Sequence, residues 1–554
     1  MALPRQRSAR PLNAATMVRE GQAHLAAGRA TKARAMAQAA VKKQPDAAAA
    51  WHLLALTCEA LSDHRAALDA YQQAMSLAPD QPRIGVDLAR LAMNLELFEV
   101  AERLLSSALD QDPGSIEVIN SLALAQASQM KGSAAIGTLT LALETHPTEP
   151  ILWNTLGLIL LSDGRMDEAA TFLGEALRLN PSMGQARIAL ADALISTAGF
   201  DKQKQASALA EGERSITDAP APLNAAARVS QAKRLFVAGC LAEGWQAYEA
   251  RHDLSYEDAT VFDLPYPQWH AGTSIEGRHL LLIGEQGLGD EVLFAQTVPD
   301  LIAALGPKGR LTLALDPRLQ TLAARSFPSA EIVPHTTGRA NGRGLRGVET
   351  SFGKDEAPDL WAPLGTAMAA LRPDANSFGM ATPFLIPDPA RVAHWKAWLA
   401  TLGPSRKVGI IWKSLLVDLN RARYFAPLSA WAPVLTRPGV QFISLQYGQA
   451  DDDLRAIAQQ MGVKVAVPPG LDLKDDLEGV VALCAALDLT IGPATATTNL
   501  AAASGASVQI YMTPASWPLF GTDHYPSYAK AKVQLLERFG AWDEAMGAIA
   551  EGLG

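Results

Sequence analysis

Cysteine is scarce: three in 554 residues, at positions 58, 240 and 484. Each stands singly among apolar neighbours with no metal-ligand spacing. Neither a disulfide framework nor a thiolate metal site is therefore expected, and the three read as reduced core residues. Long apolar runs are also missing, since none approaches the roughly 20 residues of a membrane span. The opening Met1-Ala2-Leu3-Pro4-Arg5-Gln6-Arg7 lacks the apolar core of about 7–15 residues that a secretion signal needs. A cytoplasmic protein without a transmembrane segment is the expectation. Positive charge is in deficit: 48 Lys and Arg stand against 57 Asp and Glu, a formal net charge of −9. That balance argues against a general nucleic-acid surface and leaves room only for a local basic cleft.

What is present is a folded composition, 49% hydrophobic and 19% charged. The chain is too long for one core, and its length suggests roughly three to four units. Prolines at 45, 79, 113, 147 and 181 lie 34 residues apart, and the residues between them repeat in type. The unit ending at Pro79 carries Trp51, Leu54, Ala55, Ala67, Tyr71 and Ala74. The unit ending at Pro181 has Trp153, Leu156, Gly157, Ala169, Leu173 and Ala176 at the same offsets. This is the tetratricopeptide pattern, a helix pair whose apolar face only the next pair covers, so the array must stack. Its groove is expected to take a protein or peptide partner, with plain scaffolding or dimerisation as the alternative. A homo-oligomer is compatible with either. The array is read over 14–252 after a flexible N-terminus at 1–13, with its period broken between Asp201 and Pro222.

The next stretch, 253–278, is an aromatic and proline-rich junction with Phe262, Tyr266 and Trp269. Strand-like and helix-like segments then alternate, which predicts parallel sheets with crossover helices. One lobe spans 279–385, a proline-bearing linker 386–406, and a second lobe with a terminal helix 407–554. Thr337 to Gly353, rich in glycine and arginine, reads as a mobile loop. A strand is expected at Val463–Val467.

Two turns stand out. His279 to Ile283 reads as a buried strand, followed by Gly284-Glu285-Gln286-Gly287-Leu288-Gly289-Asp290-Glu291 and a helix. The glycines fit a tight crossover or an open approach for a ligand, and Asp290 stands where open α/β folds bind one. Gly492 to Ala503 runs from a strand through Thr495, Ala496, Thr497, Thr498 and Asn499 into a second helix, suited to a helix cap or to phosphate. Lys413, Arg421 and Arg423 cluster after another strand, either to pair with phosphates or as a solvated turn.

Taken together, Pro265-Tyr266-Pro267-Gln268-Trp269, the GEQGLGD turn, Val408 to Trp412, Leu445-Gln446-Tyr447-Gly448 and Gly521 to Pro526 resemble bacterial tetratricopeptide-repeat glycosyltransferases. These include proteins similar to flagellin glycosyltransferases. The resemblance implies a GT-B-type region of two Rossmann-like lobes and a nucleotide-sugar co-substrate held mainly by the second lobe. It implies transfer to a hydroxyl of a protein acceptor, with no obligatory metal and no other cofactor. The GLGD turn is similar to that of heptosyltransferases, which makes Asp290 the implied base, with Glu285 and Glu291 as competitors and Gly287 and Gly289 on the acceptor side. By the same resemblance, Lys413 with Arg421 or Arg423 would stabilise the departing phosphate. Thr495 to Asn499 would hold it, and Gln446 and Tyr447 would contact base or ribose. Related transferases often have histidine where Asn499 stands, and glycine near Ser414-Leu415-Leu416. Two other readings stand beside this one: a non-catalytic assembly factor with a degenerate transferase fold, and a transferase acting on a lipid-linked or polysaccharide acceptor.

Overall fold

The computed structural model describes residues 13–553 apart from 220, 341, 350–351, 354–355, 380–381, 416–418 and 529. Residues 1–12 of the expected flexible N-terminus, Leu416, and part of the expected loop at 337–353 lie outside the described residues. Two compact units result, the first running through Ile159 and the second beginning at Leu160.

The first unit is a helical array. Its hairpins are Ala14–Ala26 with Ala30–Lys43, Ala48–Ala60 with His64–Leu77, Pro82–Asn94 with Phe98–Gln111, and Ile116–Ser128 with Gly132–Thr145; Pro150 opens the next helix. The 34-residue period has a local cause at both ends of each pair. Pro45, Pro79, Pro113 and Pro147 each lie two residues beyond a second helix, which proline cannot continue. Trp51 and Trp153, at equivalent offsets, donate from Nε1 to the carbonyls of Pro45 and Pro147 at 2.8 Å in both cases. Each proline carbonyl thereby fixes the first helix of the next pair. Between helices the chain reverses at residues with φ near +60°, namely Ser62, Glu96 and Met130, spaced 34 apart, while glycine holds the same place at 28. The small residues Ala67, Ala101 and Ala135 are fully buried beside Tyr71, Leu105 and Leu139. Each such leucine contributes about 1.5–3 kcal/mol of burial.

The second unit contains the helix Met166–Leu179, two further helical hairpins and then two sheets. The hairpins are Gly184–Ala198 against Lys202–Thr217, and Ala221–Ala238 against Leu241–Tyr248. The last is not merely more solenoid. Phe236, Trp245 and Tyr248 cluster with Trp517 and Phe520, and Trp245 Nε1 donates to the Arg372 carbonyl at 2.9 Å. The last hairpin thereby buries its aromatic face on the α/β part of the same unit.

The strands are β1 Val261–Phe262, β2 His279–Ile283, β3 Arg310–Leu315, β4 Ala330–Ala340, β5 Arg343–Val348, β6 Leu360–Pro363, β7 Arg406–Ile410, β8 Val440–Ser444, β9 Leu489–Pro493, β10 Val508–Met512 and β11 Ala531–Leu535. The first sheet has the order β1-β5-β4-β3-β2-β6 and the second β11-β10-β9-β7-β8. Every pairing is parallel except β4 with β5. Parallel strands are covered on both faces, which is why β2 reads as an unbroken apolar run and is buried throughout.

Four expectations change here. Thr337 to Gly353 is not a mobile loop over its described part: β4 extends to Ala340 and pairs antiparallel with β5, Thr337 facing Arg346 and Arg339 facing Gly344. Val463 to Val467 forms no strand, only a single bridge from Ile443 to Ala466. The linker at 386–406 holds the helix Pro389–Thr401, capped by Asp388 and burying Trp395 and Leu399 against the helix Leu477–Ala486. The junction at 253–278 supplies β1 and a bridge from Gln268 to Trp361, so it is an edge of the first sheet.

Candidate active site

Each of the two turns leaves the carboxyl end of a strand, β2 and β9, and opens a helix, Leu288–Phe294 and Ala496–Ala503. They meet directly. A methyl group placed on Gly289 would lie 3.5 Å from the backbone nitrogen of Ala496 and 3.6 Å from Asn499 Nδ2. Asn499 joins them: its Nδ2 donates to the Gly289 carbonyl at 3.0 Å, and its Oδ1 accepts from Tyr525 OH at 3.2 Å. A methyl group at 289 would make only ordinary contact, so it is the Asn499 hydrogen bond to the Gly289 carbonyl, not the missing side chain, that joins the two turns.

A cavity of about 860 Å³ lies against both turns. Gly289, Asp290, Arg421, Arg423, Tyr447, Thr495, Ala496, Thr497 and Asn499 line it. That volume suits a nucleotide-sized ligand. Cations outnumber carboxylates in its lining: Lys233, Arg234, Arg318, Arg421, Arg423 and Lys474 stand against Asp192 and Asp290, with Arg318 itself paired to Asp316 at 2.8 Å and Asp475 at 3.5 Å. Arg234 is buried and paired with Asp192, whereas Lys233 reaches the cavity without a hydrogen bond or ion pair among the described residues. Both come from the helix Ala221–Ala238. Nothing in a helical-repeat pattern marks a cavity-lining lysine, so these residues were not legible in the sequence. Tyr525, by contrast, lies in the Gly521–Pro526 motif.

Asp290 sits at the start of its helix, where its Oδ2 accepts from the Gly287 amide at 3.3 Å. Burial pushes its carboxyl up to about 6, aided by the charges of Glu285 and Glu291 and opposed by that hydrogen bond and by Lys233. A carboxylate held near neutrality in a cleft is the pattern of a general base. Its two competitors are committed elsewhere. Glu285 is buried and accepts from Arg251 Nε at 2.8 Å, Arg251 Nη2 at 3.1 Å and the Gly365 amide at 2.6 Å. Burial alone would raise its carboxyl, but Arg251 outweighs it and holds the group below its ordinary value. Glu291 is equally buried, between His335 and Arg346.

Other predicted residues fall outside the cavity lining. Lys413 pairs with Asp453 at 2.5 Å, and Trp412 Nε1 donates to the same carboxylate oxygen. Gln446 is buried; its Oε1 accepts from the amides of Trp412 and Lys413 at 3.0 Å, and its Nε2 donates to the carbonyls of Lys413 and Tyr447. The side chain is occupied in shaping the strand ends, which leaves no atom for a base or ribose. Thr498 is buried and caps its own helix, bonding the Thr495 amide at 2.9 Å and the Pro493 carbonyl at 2.7 Å. Gly287 is exposed and does not line the cavity. Arg423 lines it while donating to the Leu161 carbonyl and to Tyr424 OH. Among the described residues, no group of three or more His, Cys, Asp or Glu is placed to hold a metal ion.

Protein FlbA of Caulobacter vibrioides is 39% identical to this chain over 523 residues, covering 94% of this chain and 87% of that protein. The chain belongs to the FlbA family. Tetratricopeptide-repeat models match residues 60–124, and 18–82 with 120–183. These repeats point to a protein partner. Among solved structures, PilF of Pseudomonas aeruginosa is 16% identical with a TM-score of 0.32, covering 36% of this chain and 90% of its own. A tetratricopeptide-repeat protein of Parabacteroides merdae is 18% identical with a TM-score of 0.38, covering 44% of this chain and 93% of its own. This FlbA-family chain therefore joins tetratricopeptide repeats to an α/β region of largely parallel sheets. No helix among its described residues is long and apolar enough to cross a membrane.

Proposed function

We propose that this chain is a glycosyltransferase of GT-B type, moving a sugar from a nucleotide-activated donor to a hydroxyl of a protein acceptor, such as a flagellin, recruited by the repeats. The observation that carries the reading is the cavity itself, which gathers a near-neutral carboxylate, Asp290, and a cationic wall around two strand-to-helix turns. Asp290 takes the proton of the acceptor hydroxyl as its oxygen bonds to the sugar's anomeric carbon. The bond from that carbon to the phosphate oxygen breaks, and the departing nucleotide keeps the electron pair. Negative charge grows on the phosphate, beside the Thr495 to Asn499 turn, Arg421 and Arg423, where fixed dipoles and cations lower the barrier. Lys413 is not assigned this role, because Asp453 neutralises it. The repeats supply binding energy remote from the reacting hydroxyl.

Replacing Asp290 by Asn tests the assignment. Transfer from a radiolabelled sugar nucleotide falls to background, while nucleotide binding measured by calorimetry stays within about threefold, since a general base acts on the barrier rather than on ground-state binding. A fully active variant would remove Asp290 from the mechanism. A second reading, a non-catalytic assembly factor, is favoured by Asn499, whose side chain is engaged by the Gly289 carbonyl and Tyr525 OH. Calorimetry with nucleoside diphosphates and cytidine monophosphate separates the two, as an assembly factor binds none of them.

A further inference from the structure

We infer that Arg346 is a positioning residue for Asp290, acting through the backbone of the turn that carries it; what Asp290 does chemically rests on the transferase reading above. Arg346 lies in β5, within the glycine- and arginine-rich hairpin, and its side chain is largely buried. It reaches across to the turn after β2. Its Nη1 donates to the Gly284 carbonyl and to Glu291 Oε1, both at 2.7 Å, and its Nη2 donates to the Gln286 carbonyl at 2.6 Å. The three acceptors bracket the turn, one at its start, one in its middle and one on the helix beyond. A guanidinium can do this because its donors diverge in a fixed plane, which a lysine ammonium cannot reproduce.

The middle acceptor shows why the turn needs holding. Gln286 has φ +60°, a left-handed conformation that a residue with a side chain adopts only at a cost of about 1–2 kcal/mol. Its side chain is exposed, so neighbouring packing does not impose that conformation. Its carbonyl, held by Arg346, does. On the other side of the turn Glu285 is fixed by Arg251 and the Gly365 amide, and Glu291 is fixed further by His335 Nε2 at 2.8 Å and the Asp316 amide at 3.0 Å. Gln286 to Gly289 is the segment between these two anchors. Asp290 depends on it, because its carboxylate accepts from the Gly287 amide. Arg346 does not line the cavity, so it meets no ligand there.

The experiment compares R346K and R346Q with the parent full-length chain. Thermal midpoints, calorimetric affinity for whichever nucleoside diphosphate or cytidine monophosphate the parent binds, transfer turnover, and hydrogen exchange at 285–290 are measured together. The expected result is nucleotide affinity within about threefold and turnover lowered about tenfold to a hundredfold, the penalty of a slightly misplaced catalytic group. Faster exchange is expected at 285–290 but not in β2, and R346K, which keeps the charge, does not rescue. Unchanged turnover and exchange in R346K, or an equal loss of turnover and nucleotide affinity, would overturn the inference. Hydrogen exchange needs no catalysis. A parent chain without transfer activity therefore defeats the transferase reading, while unaltered exchange in the variants defeats the clamp.

Discussion

Asp290 is the residue whose physical state says most about the site. Its carboxyl is pushed from 3.8 up to about 6 by burial. An acid whose folded value exceeds its unfolded value favours the folded state when protonated. That contribution is complete below about pH 4 and is lost as pH rises through about 6. Above it, holding the charge costs about 3 kcal/mol for a displacement of this size. Asp290→Asn removes the ionisation while its amide oxygen can still accept from the Gly287 amide. The variant should be as stable as the parent near pH 4, and the difference should open in its favour between about pH 4 and 7. Differential scanning calorimetry across that range checks the sign. A stability difference that stays flat with pH would mean the carboxyl titrates normally and is not poised as a base.

At the scale of elements, legibility follows locality. The repeats were readable because each proline, each small alanine and each tryptophan acts within one 34-residue unit, as in Trp51 bonding to the carbonyl of Pro45. Strands β2, β7, β9 and β10 were readable from apolar runs bounded by turn residues. The β4–β5 hairpin was not, because its glycines and arginines are the composition of a loop; what makes it a hairpin is pairing with β3 and the buried carboxylate of Glu291, which lies 55 residues before Arg346. Asp290 and the Thr495 turn were placed on the cavity by their strand-to-helix context. The bonds that hold Gln446 and Lys413 outside the cavity lining were not legible, because their partners, the Trp412 and Lys413 amides and Asp453, are tertiary. The reversal within each repeat hairpin carries a prediction. Ser62, Glu96 and Met130 have φ of 59°, 59° and 62°, at the place where glycine stands at 28 with φ 70°. Glycine relieves roughly 1–2 kcal/mol of backbone strain and returns part of it as unfolded-state entropy. S62G, E96G and M130G should each stabilise by about 0.5–1 kcal/mol. Urea unfolding of the triple variant measures the sum; no gain would mean the side chains at these turns make compensating contacts.

For the molecule as a whole, the charge distribution is the fact that most needs a function. A chain with net charge −9 repels polyanions at long range, yet the cavity against the two turns is lined by six cations and two carboxylates. Arg234 and Arg318 are compensated by Asp192, Asp316 and Asp475, so the positive character open to an anion rests on the remaining cations of the lining, Lys233 among them. Part of the wall is not α/β at all: Lys233 comes from the helix Ala221–Ala238, and its charge opposes the upward displacement of Asp290. If a nucleotide's phosphates occupy this wall, affinity must depend on salt, because the Debye length shrinks from about 10 Å at 0.1 M to about 3 Å at 1 M. Nucleoside diphosphate affinity measured by calorimetry should weaken about tenfold between roughly 50 and 500 mM salt. K233A should weaken binding at low salt and flatten that dependence, while leaving the fold intact because the side chain is exposed. An affinity indifferent to both salt and Lys233 would place the phosphates away from the helical wall, and would leave that wall to the acceptor.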